Sequence, residues 1–144
     1  MLKIIITKGL PGSGKTTWAR KWVEESPKDR VRVNRDDIRN LLGPYWIPTR
    51  EDLVTQIEDA IIISSSFNGY SVVIDATNFK GLDRFKKLLI NSPIITPECF
   101  NDIDFEIKDF TDVPLEDCIS RDKLRDKPVG EKVIRDFHNK YIKK

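Results

Sequence analysis

The sequence predicts an α/β fold in which a four-stranded parallel sheet is flanked by helices. Short runs rich in Ile and Val alternate along the chain with longer amphipathic segments, and a glycine-rich turn joins the first run to the first such segment. This alternation favours parallel strands connected by right-handed helical crossovers. With 144 residues, the chain is predicted to form one domain over its whole length, 1–144.

The strands are predicted from their apolar patterns. The first and third runs, 2–7 and 71–75, are mostly apolar, which is typical of strands buried on both faces. The second run, 31–33, is short, and the fourth, 103–110, alternates apolar and polar residues as a half-buried strand does.

Helices are predicted between the strands from apolar residues at helical spacing. The predicted helices are 17–24, 36–42, 50–67, 81–90, 113–125 and 130–142, and residues 91–102 are predicted to form a loop broken by prolines. The longest helix is expected to turn one face toward the core, formed by Leu53, Val54, Ile57, Ala60, Ile61 and Ser64.

Residues 9–16, with the sequence GLPGSGKT, fit the phosphate-binding pattern G-x-x-x-x-G-K-[ST] between a strand and a helix. Glycine lets the backbone amides turn toward an anion, and the helix dipole adds to the attraction. The pattern predicts that Lys15 bridges the β- and γ-phosphates of ATP and that the Thr16 hydroxyl ligates Mg²⁺. The expected nucleotide-binding residues in this segment are Gly12, Ser13, Gly14, Lys15, Thr16 and Thr17.

Composition argues against several classes of protein. The formal net charge of +2 is too small to predict indiscriminate binding to nucleic acid. Cys99 and Cys118 form no C-x-x-C pair, and His138 is the only histidine, which argues against a zinc site. Neither a secretory leader nor a long apolar run is present, so we expect a cytoplasmic protein without a membrane partner.

Asp75 ends the third predicted strand with a carboxylate. In phosphate-loop proteins an acid at a strand end holds Mg²⁺, directly or through water. The same residue also fits a structural role, because an aspartate often caps the turn that follows a strand. The sequence therefore makes Asp75 a candidate metal ligand and leaves the capping role open.

The segment Asn34 to Arg39, NRDDIR, follows the second predicted strand and so faces the predicted ligand site. Asn34 and Asp37 have the spacing of a helix cap and its third position. Asp36 has no such structural role, and Arg39 lies on the same helical face. The pair fits a general base for a hydroxyl beside a guanidinium that holds a phosphate, and it also fits an ordinary surface ion pair.

Arg121 and Arg125 are four residues apart near the end of a predicted helix and are expected to share a face. Small phosphate-loop kinases carry such arginines on a mobile lid, where they neutralise charge on the transferring phosphoryl group. A solvated basic helix end that complements the helix dipole has the same pattern.

Tyr45 and Trp46 lie in a short segment bounded by prolines. Aromatic rings there can stack on a nucleic-acid base. Packing against the rest of the protein is the favoured interpretation of this pair.

These motifs together resemble the kinase domain of bacteriophage polynucleotide 5′-hydroxyl kinase and similar small phage and bacterial kinases. The resemblance covers nearly the whole chain and is most specific in the Asn-Arg-Asp-Asp stretch at 34–37 with its trailing Arg39. It continues through Thr77-Asn78, Val113-Pro114, the two arginines and Pro128-Val129 to the last helix. It implies a P-loop kinase fold with a helical lid at about 113–130, and a phage or bacterial origin.

The resemblance also implies roles for individual residues. Lys15 and Thr16 bind the ATP phosphates and magnesium, Asp36 is the general base on a 5′-hydroxyl, and Arg39 contacts the 3′-phosphate of the acceptor. The resemblance makes Arg121 and Arg125 lid residues over ATP, with Arg125 the transition-state contact. Thr77 and Asn78 join Asp36 and Arg39 as expected substrate-binding residues.

This sequence departs from the phage enzyme in two ways. Ala76 separates Asp75 from Thr77. In the phage enzyme the acidic residue at the end of the strand directly precedes Thr-Asn, and it supports the arginine that contacts the acceptor phosphate. The phage enzyme also carries a phosphatase domain, and these 144 residues have no room for one. A pair of end-healing activities is therefore not implied.

The sequence predicts transfer of the γ-phosphate of ATP to the 5′-hydroxyl end of DNA or RNA. A kinase for a small hydroxyl-bearing metabolite and a non-catalytic nucleotide-binding module are the alternatives. A nucleoside monophosphate kinase is disfavoured, because its phosphate acceptor needs no base and Asp36 would be idle. A binding module would need neither Asp36 nor the lid arginines.

Overall fold

The computed structural model describes residues 1–43 and 46–143 of the chain. The described residues form four strands: β1 (Leu2–Lys8), β2 (Arg30–Val33), β3 (Ser71–Ile74) and β4 (Ile103–Asp109). They also form seven α-helices: α1 (Lys15–Glu24), α2 (Arg35–Leu42), α3 (Glu51–Phe67), α4 (Asp83–Ile90), α5 (Pro97–Asn101), α6 (Leu115–Asp122) and α7 (Glu131–Tyr141). A 3₁₀ turn, Pro48–Arg50, precedes α3.

The strands form one parallel sheet in the order β2-β3-β1-β4. In its register Ile5 of β1 pairs with Val73 of β3, and Arg32 of β2 pairs with the same Val73. The predicted four-stranded parallel sheet flanked by helices is confirmed. All four strands therefore point their carboxyl ends toward the same edge of the sheet.

The core lies on both faces of the sheet because side chains alternate along each strand. One face carries Ile4, Ile6, Val72 and Ile74 against apolar residues of α2, α3 and α4. The opposite face carries Ile5 and Val73 against Ala19 and Trp22 of α1. A third apolar cluster joins α6 and α7 to the turn after β1, through Leu10, Cys118, Ile119 and Ile134.

The segment predicted as a loop, 91–102, contains the short helix α5. The Thr96 side chain accepts a hydrogen bond from the Cys99 amide, and Pro97 occupies the first turn. Threonine followed by proline is a helix start signal, and proline at that position interrupts no hydrogen bond. The interpretation of the prolines as helix breakers was wrong at this position.

The face of α3 that packs on the sheet differs from the predicted one. Its buried residues are Val54, Glu58, Ile62 and Ser66, whereas Leu53 is 46% exposed. Of the predicted face, Val54 is fully buried and Ile57 and Ile61 are partly buried against the core, whereas Ala60 and Ser64 are exposed. The prediction was wrong in part, because a buried glutamate and a buried serine interrupt the apolar pattern on the inward face.

Helix α6 ends at Asp122, three residues before the predicted end at Arg125. Arg125 therefore lies in the following turn, where its amide donates to the Asp122 carbonyl at 3.1 Å. The Asp122 carboxylate accepts hydrogen bonds from the amides of Val129 and Gly130 at 3.0 and 2.9 Å. These bonds draw the chain back toward the start of α7, so Arg121 and Arg125 do not share one helical face.

A matched pair of substitutions tests the orientation of α3. Ile62→Ala should lower the free energy of unfolding by about 2–5 kcal/mol, because it leaves a cavity under the sheet. Leu53→Ala, on the predicted but exposed side of the same helix, should cost less than about 1 kcal/mol. Chemical denaturation of both variants measures the difference. Equal losses would contradict the described orientation.

Candidate active site

The candidate site lies where the turns after β1, β2 and β3 meet at the carboxyl edge of the sheet. The phosphate-binding loop follows β1, Asn34 and α2 follow β2, and Asp75 follows β3. The loop amide of Gly9 donates to the Thr77 carbonyl at 3.1 Å, which joins the first and third of these turns. Three segments distant in sequence are thereby brought into one region.

The phosphate-binding loop has the backbone shape that its glycines allow. Gly12 and Gly14 have φ values of 82° and 98°, in the left-handed region that favours glycine. A Cβ atom at Gly12 would collide with the backbone carbonyl of Cys118 on α6. Gly14 directly precedes α1, so the first amides of that helix are directed at the position where a phosphate binds.

Lys15 is the first residue of α1 and is 7% exposed. Its ammonium group donates to the Leu10 carbonyl and lies 3.4 Å from the Ser13 hydroxyl, both within the same loop. Burial lowers the pKa of Lys15 to about 8, while the negative charge of Asp75 opposes that shift. A partly desolvated ammonium ion of this kind gains strongly from a nearby anion. Thr17, two residues later in α1, is exposed.

The Asp75 carboxylate makes polar contacts with several residues of the site, and its side chain is 1% exposed. The Thr16 hydroxyl donates to Asp75 Oδ2 at 2.8 Å. The Arg32 guanidinium donates to the same oxygen from Nε at 2.9 Å and lies 2.8 Å away through Nη2. Sequence reasoning did not identify Arg32, because its position on a short strand gave no sign that it reaches Asp75.

The two expected metal-site residues, Thr16 and Asp75, are thus in direct contact. No group of three or more His, Cys, Asp or Glu side chains within 1–43 and 46–143 could hold a metal ion by itself. A hydroxyl and one carboxylate suit Mg²⁺, which is held by few protein oxygens, by waters and by substrate phosphates. The residues present therefore fit a magnesium ion that depends on bound nucleotide.

Asp36 and Arg39 form the ion pair that their spacing allows. The Asp36 side chain is 80% exposed, and its Oδ1 accepts from Arg39 Nη1 at 2.7 Å. The Asn34 side chain accepts from the Asp37 amide at 3.0 Å, which confirms the predicted cap of α2. The Asp37 carboxylate pairs with Arg32 at 2.6 Å. Asp36 is therefore exposed beside a fixed guanidinium, and Asp37 has a structural role.

Glu51 holds Arg39 from the start of α3, and sequence reasoning did not identify it. Arg39 donates from Nε to Glu51 Oε2 at 2.9 Å and from Nη2 to Oε1 at 2.6 Å. This two-point contact raises the pKa of Arg39 and lowers the pKa of Glu51. The resemblance implies that the acidic residue at the end of the third strand supports the acceptor-binding arginine. In this chain Glu51 supports Arg39, and the acidic residue at the strand end, Asp75, pairs with Arg32.

Thr77 and Asn78 lie after β3, and the structure gives them different surroundings. Thr77 lines the cleft that also contains Asp36. The Asn78 amide nitrogen donates to the carbonyls of Thr7 and Ile74 at 2.7 and 2.9 Å. Asn78 also has a φ of 47°, which asparagine tolerates better than most residues. Its amide nitrogen therefore fixes the ends of β1 and β3 together.

One cleft of about 400 Å³ brings the expected acceptor residues together with the phosphate loop. Its lining comes from the phosphate-binding loop, from the segments that follow β2 and β3, from the loop before α7 and from α7 itself: Pro11, Asn34, Arg35, Asp36, Arg39, Asp75, Ala76, Thr77, Val129 and Phe137. A volume in this range is typical of a small-molecule site. The lining of this cleft does not include four of the residues predicted to bind the nucleotide: Lys15, Thr16, Arg121 and Arg125.

The lid segment lies against the phosphate-binding loop through α6. Arg121 Nη1 donates to the Gly12 carbonyl at 3.5 Å. The positive charge of Arg125 contributes to the lowered pKa of Lys15, and its own Nη1 lies 3.8 Å from Asp122 Oδ1. Both arginines are thus close to the phosphate-binding residues. Asp122, 1% exposed, is a further residue that sequence reasoning did not identify.

Trp46 is 65% exposed, so the expectation that it packs into the protein is wrong. It lies two residues before the turn at Pro48–Arg50. Tyr45, its neighbour in the same expectation, lies outside the described residues.

The family model for an AAA domain matches residues 4–142, and the chain belongs to this family. With the parallel sheet and the phosphate-binding loop already described, the match defines the chain as a P-loop kinase-type domain. Across residues 1–43 and 46–143, no helix is both long enough and apolar enough to span a membrane.

Two curated relatives cover different shares of the chain. The L-seryl-tRNA(Sec) kinase of Methanococcus maripaludis is 27% identical over 141 residues, which is 96% of this chain and 52% of that protein. The heterogeneous nuclear ribonucleoprotein U-like protein 2 of Homo sapiens is 29% identical over 99 residues, which is 61% of this chain and 13% of that protein. The chain thus spans about half the length of the first and a small part of the second.

Two solved structures of the Pnkp1/Rnl/Hen1 complex contain chains with a similar fold. One, described as an RNA repair complex, aligns with a TM-score of 0.73 at 28% identity, over 97% of this chain and 44% of the other. The second aligns with a TM-score of 0.64 at 31% identity, over 83% of this chain and 38% of the other. These alignments confirm the expected P-loop kinase fold.

The lowered pKa of Lys15 predicts how stability depends on pH. The folded protein binds the Lys15 proton less tightly than the unfolded chain does. Keeping Lys15 charged therefore lowers the free energy of unfolding below pH 8, and this loss is relieved as the pH rises toward 10.5. Relative to Lys15→Met, the free energy of unfolding of the unmodified protein should rise by about 3 kcal/mol over that interval. Denaturant unfolding at several pH values measures it.

The matched control for this experiment is Lys21→Met, which removes an exposed lysine from the same helix. Groups that titrate in all three proteins cancel in the comparison. A difference between the unmodified protein and Lys15→Met that stays constant from pH 7 to 10.5 would show that the Lys15 ammonium carries no desolvation penalty.

Proposed function

We propose that the protein is an ATP- and Mg²⁺-dependent kinase that transfers the γ-phosphoryl group of ATP to the 5′-hydroxyl end of DNA or RNA. The observation that carries this proposal is that Asp36 and Arg39 line the same cleft as Pro11 of the phosphate-binding loop. A base for a hydroxyl and a cation for a neighbouring phosphate thus lie beside the donor site. An oligonucleotide 5′-end presents both groups together.

Asp36 is suited to act as the base. Its side chain is 80% exposed, so a hydroxyl can reach it, and a carboxylate within hydrogen-bond distance assists proton removal. In the proposed step the 5′-oxygen bonds to the γ-phosphorus while the bond from that phosphorus to the β,γ-bridging oxygen breaks. ADP leaves with the electron pair, and Asp36 takes the hydroxyl proton.

Arg39 is suited to hold the phosphate that follows the reacting sugar. A guanidinium has five N–H donors, and the contacts with Asp36 and Glu51 use one each on Nε, Nη1 and Nη2. One donor therefore remains on each terminal nitrogen, along the edge that suits a two-point contact with phosphate. Glu51 fixes the orientation of that edge, which gives the acceptor phosphate a preformed partner.

The donor side consists of the loop amides, Lys15, and the residues around Thr16. We expect Gly12, Ser13, Gly14 and Thr17 to bind the phosphates through their backbone, with the Lys15 ammonium paired to phosphate charge. Thr16 and Asp75 would hold magnesium, which neutralises charge on the phosphates when it is bound. Arg121 and Arg125 lie close enough to this loop to neutralise charge on the transferred group.

The similar proteins support an acceptor connected with RNA. The matched chains belong to the Pnkp1/Rnl/Hen1 RNA repair complex, and one relative is named as a kinase of L-seryl-tRNA(Sec). The name of the L-seryl-tRNA(Sec) kinase favours an alternative to the proposed function, a kinase for a hydroxyl other than a nucleic-acid 5′-end. Asp36 would serve either acceptor, whereas Arg39 fits the 5′-end because a phosphate lies beside that hydroxyl.

An acceptor panel tests the proposed function. With γ-labelled ATP, label should enter a 5′-hydroxyl oligonucleotide and a nucleoside 3′-monophosphate, with little entering the matching nucleoside. Arg39→Ala should erode this preference, because the clamp for the neighbouring phosphate is lost. Asp36→Asn should slow transfer to every acceptor by about 10²–10⁴-fold, because the base is lost and the side-chain shape is kept.

A free sugar, a nucleoside 5′-monophosphate and a seryl-tRNA serve as comparison acceptors in the same assay. Label found in only one of these three would overturn the polynucleotide proposal and identify a metabolite, nucleotide or aminoacyl-tRNA kinase. Absence of transfer to all acceptors by a folded protein that binds ATP would favour a non-catalytic module.

A further inference from the structure

A second chamber adjoins the cleft that contains Asp36. Its volume is about 430 Å³, and it shares Arg35, Ala76, Thr77 and Phe137 with that cleft. The shared lining makes the two spaces neighbours along one path from the reacting end. Apart from Asn78, the remaining residues of the chamber received no role from the phosphate-binding motif or from the resemblance.

One side of the chamber carries two arginines held by a buried carboxylate. The Glu58 side chain is 4% exposed, and its Oε1 lies 3.3 Å from Arg35 Nη1 and 3.2 Å from Arg84 Nη2. Arg35 comes from α2, Arg84 from α4 and Glu58 from the inward face of α3. Removing a buried charge from its partners is costly, so Glu58 keeps the two guanidinium groups side by side.

Donors remain on this pair for an external ligand. In the described residues, Arg84 makes its hydrogen bond to Asp59 through Nη2, and the contact with Glu58 uses the same nitrogen. The Nε and Nη1 donors of Arg84 take part in no hydrogen bond within that part of the chain, and its side chain is 44% exposed. Lys80 also lines the chamber. These donors suit an anion that approaches from the chamber.

Another part of the chamber lining is aromatic. Phe79 and Tyr141 stack with ring centroids 4.6 Å apart and an interplanar angle of 6°. Phe137 lies 6.0 Å from Phe79, and all three rings line the chamber. Aromatic surface and guanidinium groups that line one chamber suit a nucleotide, because a base or sugar packs on the rings while the phosphate binds the cations.

We propose that this chamber binds the second nucleotide of the acceptor, with its 3′-phosphate on Arg84 and Arg35 and its base or sugar against the aromatic wall. The inference rests on the proposed function, in which Arg39 binds the first phosphate in the neighbouring cleft. It goes further, because the protein then selects acceptors of at least two nucleotides over a single nucleotide.

The test measures kcat/KM for a short series of acceptors that differ by one group. The series is a nucleoside 3′-monophosphate, a dinucleotide with a 5′-hydroxyl and a 3′-hydroxyl, and the same dinucleotide with a 3′-phosphate. We expect kcat/KM to rise about 10-fold to 100-fold when the second phosphate is added, from charge-assisted hydrogen bonds. Transfer to the monophosphate defines the basal activity.

Arg84→Ala should abolish the gain from the second phosphate and leave transfer to the monophosphate unchanged. Arg84→Lys should keep part of the gain, because the charge remains and the fork of donors is lost. Lys87→Ala removes an exposed positive charge from the same helix at a residue that does not line the chamber, so it is the matched control and should keep the full gain. Circular dichroism and thermal melting confirm that each variant is folded.

The outcomes separate this inference from the proposed function. Equal kcat/KM for all three acceptors, or an undiminished gain in folded Arg84→Ala, would overturn the second-nucleotide site while transfer to the monophosphate still supports the kinase. Failure of the unmodified protein to phosphorylate any member of the series would overturn both.

Discussion

The contact of Thr16 and Arg32 with the buried Asp75 carboxylate is the interaction on which the rest of the site depends. It joins the end of β3 to the first turn of α1 and to β2, and the pairing of Arg32 with Asp37 extends it to α2. Removal of one partner of a buried ion pair typically costs about 3–5 kcal/mol. The phosphate-binding loop and the helix that carries Asp36 are therefore fixed relative to each other, which donor and acceptor alignment requires.

The arginines on the acceptor side are all positioned in the same way: a carboxylate from one helix orients an arginine from another. Glu51 of α3 holds Arg39, and Glu58 of α3 holds Arg35 together with Arg84. Each guanidinium keeps donors that a phosphate can use, because a planar fork presents more N–H groups than one carboxylate occupies. Helix α3 thus positions arginine side chains of the site and also packs against the sheet.

The sequence predicted the sheet, the phosphate-binding loop and the cap of α2, because each depends on residues close together in the chain. It could not predict Glu51, Glu58 or Asp122, since each acts on a partner that only the folded chain brings near. Glu58 shows the physical reason most clearly: a glutamate indicates an exposed position unless distant arginines neutralise it. The same residue explains why the inward face of α3 was predicted only in part.

The most direct test of the account is a crystal structure with magnesium, a non-hydrolysable ATP analogue and a 5′-hydroxyl oligonucleotide that ends in a 3′-phosphate. We expect the 5′-oxygen within about 2.6–3.2 Å of the Asp36 carboxylate, facing the γ-phosphate, with the adjacent phosphate on the outer edge of Arg39. A strand bound elsewhere on the protein, with Asp36 distant from any hydroxyl and Arg39 in contact only with Asp36 and Glu51, would contradict it.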